Sequence, residues 1–458
     1  MQLVKKNLLS ASMVALIATV LVFNTVFDTQ RYKEPERVIE WDVINFYSYL
    51  PAAFIEHDLT LQFVRNDMER YYCSDHYWPE ILPDSTMVIK TTMGLSLLYC
   101  PFFLVADKLA KPLGFTPDGF SPPYALALIL ACVFWVIVGC IYLRKALLQH
   151  FSDLTTTIVI GITVLATNLL WYSTQEAPYA HGFLFALISI FLYQTQRWHR
   201  CPSWRCTVAI GLNFGLISLI RPTDALVLLC FLLYDVASWR DLKGKADLYL
   251  QQWPKVLIMA AAAMAIWIPQ MVYWHTMTGH LFFYSYTGNE RFFWLQPKIV
   301  DFLIGFRKGW LLYTPVMAFA LLGLIPLYRH HRRWFYATLV FLVLDVYVLS
   351  CWWCWWFGGC FGQRSMVDCY GLLAFPLAAF VEWMVRCKGV RRVALVVIFT
   401  AVTGLSFFHY KQYEHEAIHY DSMTREAYLA NFGHKRPTAQ YWELLERPDY
   451  EAAQQGRR

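Results

Sequence analysis

The stretch Trp352-Trp353-Cys354-Trp355-Trp356-Phe357-Gly358-Gly359-Cys360-Phe361-Gly362-Gln363-Arg364-Ser365-Met366-Val367-Asp368 holds the most distinctive chemistry of the chain. Its tryptophans fit an aromatic belt at a membrane surface, but a belt needs neither the three glycines nor the arginine. Glycines let a backbone approach a ligand closely, and the Arg364 guanidinium is a planar, permanently charged fork suited to phosphate oxygens. Such a loop suits an anionic ligand.

A base could come from Trp41-Asp42-Val43-Ile44-Asn45-Phe46-Tyr47-Ser48-Tyr49-Leu50-Pro51. Trp41, Ile44, Tyr47 and Ser48 or Leu50 follow helical spacing, as an amphipathic helix at an interface would. Carboxylates are frequent here and most are solvated charges. Asp42 differs because apolar neighbours flank it, and a carboxylate held there can accept a proton from a hydroxyl.

Other cations have two readings each. Lys90 opens Lys90-Thr91-Thr92-Met93-Gly94. It is either a lysine snorkelling to the interface or a cation that meets a lipid phosphate beside the free amides of a helix start. Arg221 interrupts a long apolar run as Ile220-Arg221-Pro222-Thr223-Asp224, where Asp224 is a ready partner, yet an arginine on the outer side runs against the topogenic bias, and such residues tend to be paired or functional. Glu176 and His181 stand at the ends of two adjacent apolar segments, as caps or as parts of one site. A loop with Tyr284, Tyr286, Asn289, Glu290, Arg291, Phe292, Phe293 and Trp294 precedes Arg307-Lys308-Gly309-Trp310. An aromatic belt explains it, and so does a carbohydrate stacked on rings while its hydroxyls bond acids and amides.

One literal motif points elsewhere. His415-Glu416-Ala417-Ile418-His419 has the spacing of a zinc-peptidase helix. A catalytic zinc also needs a third ligand; Asp421, Glu426 and His434 are close, but at no usual spacing, so coincidence is the better reading.

These residues must be positioned by membrane helices. Of 458 residues 57% are hydrophobic and only 16% charged, against about a quarter charged in soluble domains. Apolar segments near 8–27, 122–143, 155–172, 179–194, 205–220, 223–238, 255–275, 310–328, 335–351, 370–386 and 391–409 predict an all-α integral membrane bundle of about eleven spans. The first reads as an uncleaved signal anchor behind Lys5 and Lys6. The stretch 93–106 contains Pro101, is short for a span and reads as a surface helix.

Lysine and arginine mark cytoplasmic loops. Lys5 and Lys6, Arg144 and Lys145, Arg197 and Arg200, and the loops at 240–245, 329–333 and 386–392 then lie inside. That puts the N-terminus inside, the segment 28–121 and the tail 411–458 outside, and every candidate residue on the outer side. The net charge of +6 is topogenic and does not indicate nucleic acid. The twelve cysteines mostly fall in spans as small apolar residues; Cys73, Cys354 and Cys360 are the outer ones that could pair.

Taken in order, these features resemble the GT-C superfamily of membrane glycosyltransferases, which includes protein O-mannosyltransferases and lipid A aminoarabinose transferases. The likeness rests on the early Asp42, the Lys90-to-Gly94 approach to a surface helix, the Arg221-Pro222 turn, Arg307-Lys308-Gly309 before Tyr313 and Pro315, and the loop ending at Arg364. It departs where relatives carry Lys-Pro-Pro or Lys-Tyr-Pro and a paired Asp-Glu; here Thr91 follows Lys90 and Val43 follows Asp42.

The resemblance implies a bacterial inner-membrane enzyme taking a sugar from a polyprenyl-phosphate donor at the periplasmic face, with inversion, to a glycan, lipid or protein acceptor. Asp42 would be the base; Lys90, Arg221, Lys308 and Arg364 would bind the donor phosphate. Glu176, His181, Tyr284, Tyr286, Glu290 and Trp356 would contact sugar or acceptor. No resident cofactor is implied, and a divalent cation stays open. The alternative from another class is a transporter or flippase of a lipid-linked sugar, for which Asp345 is the one notable midspan charge.

Overall fold

A helix answers its backbone amides internally, and the described residues of this apolar chain are mostly helical. The computed structural model describes residues 7–67, 77, 79–286 and 290–457, so Lys5, Lys6, Cys73 and Asn289 fall outside it. The principal elements are α1 (Leu8–Val22), α2 (Trp41–Tyr47), α3 (Gly94–Ala110), α4 (Pro122–Leu147), α5 (Asp153–Leu165), α6 (Ala180–Arg200) and α7 (Trp204–Ile220). There follow α8 (Trp239–Gln251), α9 (Trp253–Thr278), α10 (Ala318–His330), α11 (Phe335–Ser350), α12 (Tyr370–Arg386), α13 (Gly389–Glu414) and α14 (Arg425–Asn431). Among the described residues the only sheet is a two-residue ladder of β1 (Glu80–Ile81) and β2 (Met87–Val88).

Among the described residues five helical stretches are long and apolar enough to cross a membrane: Leu8–Lys33, Pro122–Leu147, Trp253–Thr278, Arg332–Ser350 and Gly389–Glu414. Four more apolar helices are shorter: Asp153–Leu165, Trp204–Ile220, Pro222–Leu232 and Pro315–His330. The expected count of about eleven therefore goes beyond what helix length and composition support. Three expected spans are not continuous helices. The 155–172 segment leaves the helix after Leu165, because Asn168 turns its side chain to the glycine-rich loop, donating to the carbonyls of Phe361 (3.3 Å) and Gln363 (3.4 Å). The 223–238 segment is a 3-10 turn, Pro222–Val227, and a short helix, Leu228–Leu232. The 310–328 segment breaks at Pro315, where proline has no amide to continue the ladder.

The bundle centres on α4, α6 and α12, whose side chains are buried over most of their length. α9 and α13 lie outside it, with Val390, Val393, Val397 and Ile398 exposed, as suits contact with lipid. Close helix approach uses small residues: a Cβ on Gly211 or Gly215 would run into the α9 backbone at Met259 or Ala263. Basic loops gather at one end. There Arg200 donates to Gln149 (2.8 Å), Arg333 pairs with Asp235 (3.2 Å), His331 meets Glu382 (2.8 Å) and its ring lies 4.5 Å from Phe151.

Candidate active site

Away from that basic end, a cavity of about 1110 Å³ opens between α2, the turn before α6, the glycine-rich loop and the C-terminal tail. Asp42, Glu176 and Arg364, all singled out in the sequence, line it. Asp42 is in the first turn of α2, and the Oδ2 of its half-exposed carboxylate is 2.8 Å from Arg364 Nη2. The preceding Trp41 has φ +48°, a strained setting for a bulky residue, and more than half of it is exposed.

Arg364 follows a loop that is held from several sides. Gln363, fully buried, donates to the Trp355 carbonyl (3.0 Å), and the Phe361 amide donates to the Tyr172 hydroxyl (3.0 Å). The Tyr370 hydroxyl donates to Asn168 (2.6 Å) and fixes the asparagine that grips the loop. The guanidinium also lies over the Tyr179 ring, 5.5 Å from its centroid. Burial works against the charge of Arg364, but Asp42 together with Cys360, Tyr179 and Tyr172 outweighs it, and the pKa stays well above the ordinary value.

Glu176 lies in the turn before α6. Its Oε2 is buried with no hydrogen-bond partner, and burial raises its pKa. A wall group so placed can accept a hydrogen bond from a ligand. Beside it the rim carries Arg31, which donates to the neighbouring Gln175 carbonyl, and Arg37, which pairs with Glu34 at 2.8 Å.

The other sequence candidates fall into neighbouring clusters. Asp368 joins His181 Nδ1 (2.8 Å) to Arg221 Nη1 (2.7 Å), and Arg221 lies 5.2 Å from the ring of the cavity residue Phe357. Arg221 thus reaches the cavity only through that ring. Asp224 and Asp345 are buried nearby, Asp224 Oδ2 without a hydrogen-bond partner. Lys90 pairs with Glu290 at 3.0 Å and Glu80 at 3.9 Å, beside the Tyr286 ring; the Tyr284 hydroxyl donates to the Glu290 carbonyl (2.7 Å).

Lys308 is buried and donates to the carbonyls of Cys360 and Tyr420, so it ties loop to tail and does not line the cavity. Trp356 is buried against Tyr450, also behind the wall. Cys354 and Cys360 are separate free thiols.

The tail was the least legible part. His419, Tyr420, Asp421, Ser422, Arg447 and Tyr450 all line the cavity. Tyr413 stacks on Phe361 at 4.7 Å, and Tyr450 donates to Asp421 at 2.9 Å. The density of tyrosines in an otherwise charged tail was the available signal. For Asn168, it was a lone amide in an apolar run.

The zinc motif has no helix to sit on. α13 ends at Glu414, Glu416 has φ +63°, and His419 turns its Nδ1 onto its own backbone. Two histidines at this spacing share a face only on a continuous helix.

No protein-family model matches the chain, and no curated protein does. Among solved structures, the apo oligosaccharyltransferase of Archaeoglobus fulgidus is similar, with a TM-score of 0.46 and 11% identity. The match covers 96% of this chain and 60% of that one, so this chain spans less than two thirds of that protein's length.

Proposed function

We propose that the protein is a GT-C-type glycosyltransferase that moves a sugar from a polyprenyl-phosphate donor to an acceptor hydroxyl, with inversion, at the outer face of a bacterial inner membrane. In this reading the chain spans the membrane about eleven times, with the N-terminus cytoplasmic and the tail periplasmic. The observation that carries the reading is the Asp42–Arg364 pair, 2.8 Å apart in the wall of one cavity. A base and an anion-binding cation are the two groups that the transfer needs.

In the reaction, Arg364 holds the donor phosphate and Asp42 takes the proton from the acceptor hydroxyl. The hydroxyl oxygen bonds to the anomeric carbon as the bond from that carbon to phosphate oxygen breaks, and polyprenyl phosphate leaves with the electron pair. Arg364 then faces charge that grows on the leaving oxygen, where a fixed cation is most effective. Glu176 accepts from a sugar or acceptor hydroxyl. Lys90, Arg221 and Lys308 act from behind the wall and keep the loops in place.

The test is binding and hydrolysis of radiolabelled polyprenyl-phosphate sugars by purified protein, wild type beside Arg364→Ala. Expected are donor binding and slow release of sugar by the wild type, with binding weakened at least about tenfold in the variant, as befits the loss of a charge-assisted hydrogen bond. Absence of binding to every lipid-linked sugar would refute the reading.

A further inference from the structure

The His419 imidazole is fixed by its own segment. Its Nδ1 accepts the amide N–H groups of Asp421 (3.1 Å) and Ser422 (3.0 Å). A nitrogen that accepts two amides carries no proton, so the neutral ring has its proton on Nε2. The ring stacks on Tyr420 with centroids 4.3 Å apart.

That segment is in turn bound to the glycine-rich loop. The Tyr420 carbonyl accepts from the Cys360 amide (3.0 Å) and from Lys308. The Asp421 carbonyl accepts from Arg307 (3.1 Å) and its carboxylate from Tyr450 (2.9 Å). Gly359 makes room, since a Cβ there would lie 2.9 Å from the Tyr420 ring. The result is a rigid N–H donor in the cavity wall, of the kind that fixes ligand orientation.

Its chemistry separates it from the arginines. Burial lowers the His419 pKa below the ordinary value of 6.5, and Lys308 lowers it further. The ring therefore stays uncharged near neutral pH and offers one directional donor, which suits a hydroxyl better than a phosphate. Its position agrees. In the proposed reaction the lipid tail would come from the bilayer with its phosphate at Arg364, while His419 lines the same cavity from a segment beyond Glu414, where α13 ends.

We propose that His419 is a specificity residue, its Nε2–H donating a hydrogen bond to a hydroxyl of the donor's sugar. The inference rests on the polyprenyl-phosphate sugar reading of this cavity. It gives the C-terminal tail a part in choosing the sugar.

The experiment measures binding of bare undecaprenyl phosphate, and of its glucose, mannose, arabinose and N-acetylglucosamine esters, to the full chain in nanodiscs. The wild type should prefer at least one ester over the bare lipid. His419→Ala should lose about threefold to tenfold of that preference, the scale of one neutral hydrogen bond, with bare-lipid affinity unchanged. His419→Gln, which keeps an N–H donor, should recover part of it. Equal weakening toward bare lipid and esters would mean a packing role and overturn the proposal, as would a preference that survives in His419→Ala or a wild type with no preference. If the wild type binds none of these lipids, the transferase reading falls first and this inference with it.

Discussion

The Asp42 carboxylate and the Arg364 guanidinium hold each other at 2.8 Å. The group suited to take a proton and the group suited to hold a phosphate are thus each other's partner. In the proposed reaction a donor phosphate that engages Arg364 would compete with Asp42 and, by displacing it, would free the carboxylate for the acceptor. In that reading the pair would couple arrival of the donor to readiness of the base.

Asp42→Asn tests that coupling, because it removes the competitor and keeps the shape. Undecaprenyl phosphate should bind the variant about threefold to tenfold tighter than wild type, as an ion pair no longer has to be broken. Sugar transfer should fall by about two orders of magnitude or more, the usual scale of a lost general base. Binding by isothermal titration and turnover of a labelled donor check the two halves. Weaker lipid binding in Asp42→Asn would contradict the competition.

Much of this arrangement was legible in the residues and some was not. Asp42, Glu176 and Arg364 stand out in the sequence as charges beside aromatic or apolar neighbours, and they line one cavity. Lys308 has the same sequence appearance as a phosphate ligand, but its ammonium is used by two carbonyls; nothing in one-dimensional spacing shows which carbonyls will lie nearby. The 155–172 segment reads as a span because apolar content sets the pattern, whereas Asn168 breaks the helix through contacts nearly two hundred residues away. His419 stands out in the sequence only for a metal motif that needs helix, and helix ends before it.

Lys308→Met separates tethering from catalysis. The substitution keeps the unbranched apolar stem, one atom shorter, but leaves the Cys360 and Tyr420 carbonyls without their ammonium donor, at a cost on the order of 2 kcal/mol. The tail should loosen from the loop, shown by faster proteolysis within residues 415–457 and a lower Tm. An unchanged proteolysis pattern together with weakened phosphate binding would instead make Lys308 a ligand.

Glu176 predicts a pH signature. Burial raises its pKa above 4.5, so the folded chain holds this proton more tightly than the unfolded chain. The stabilising contribution is complete below the unfolded value and is lost as pH rises through the folded one. Glu176→Gln should therefore raise Tm relative to wild type at about pH 8, and the gap should close toward about pH 4. Scanning fluorimetry of the two proteins across that range checks it; a gap that widens toward acid would reverse the sign.

Gly323 tests how tightly the scaffold behind the site is packed. α10 and α12 cross so closely that a Cβ on Gly323 would overlap the Pro376 carbonyl, with the Phe380 Cβ at 3.2 Å. Pro376 sits inside α12, and Tyr370 at the start of the same helix anchors Asn168 and through it the loop of Arg364. Backbone cannot rotate away as a side chain can, so Gly323→Ala must push the helices apart, a change that costs about 1–3 kcal/mol in a close-packed interior. The expected outcome is a lower Tm together with weaker donor binding, since α12 carries the strain to the loop. A lower Tm with donor affinity intact would show that the loop is insulated from α12, and Asn168 would then be held by Thr314, whose hydroxyl lies 3.4 Å from it, more than by Tyr370.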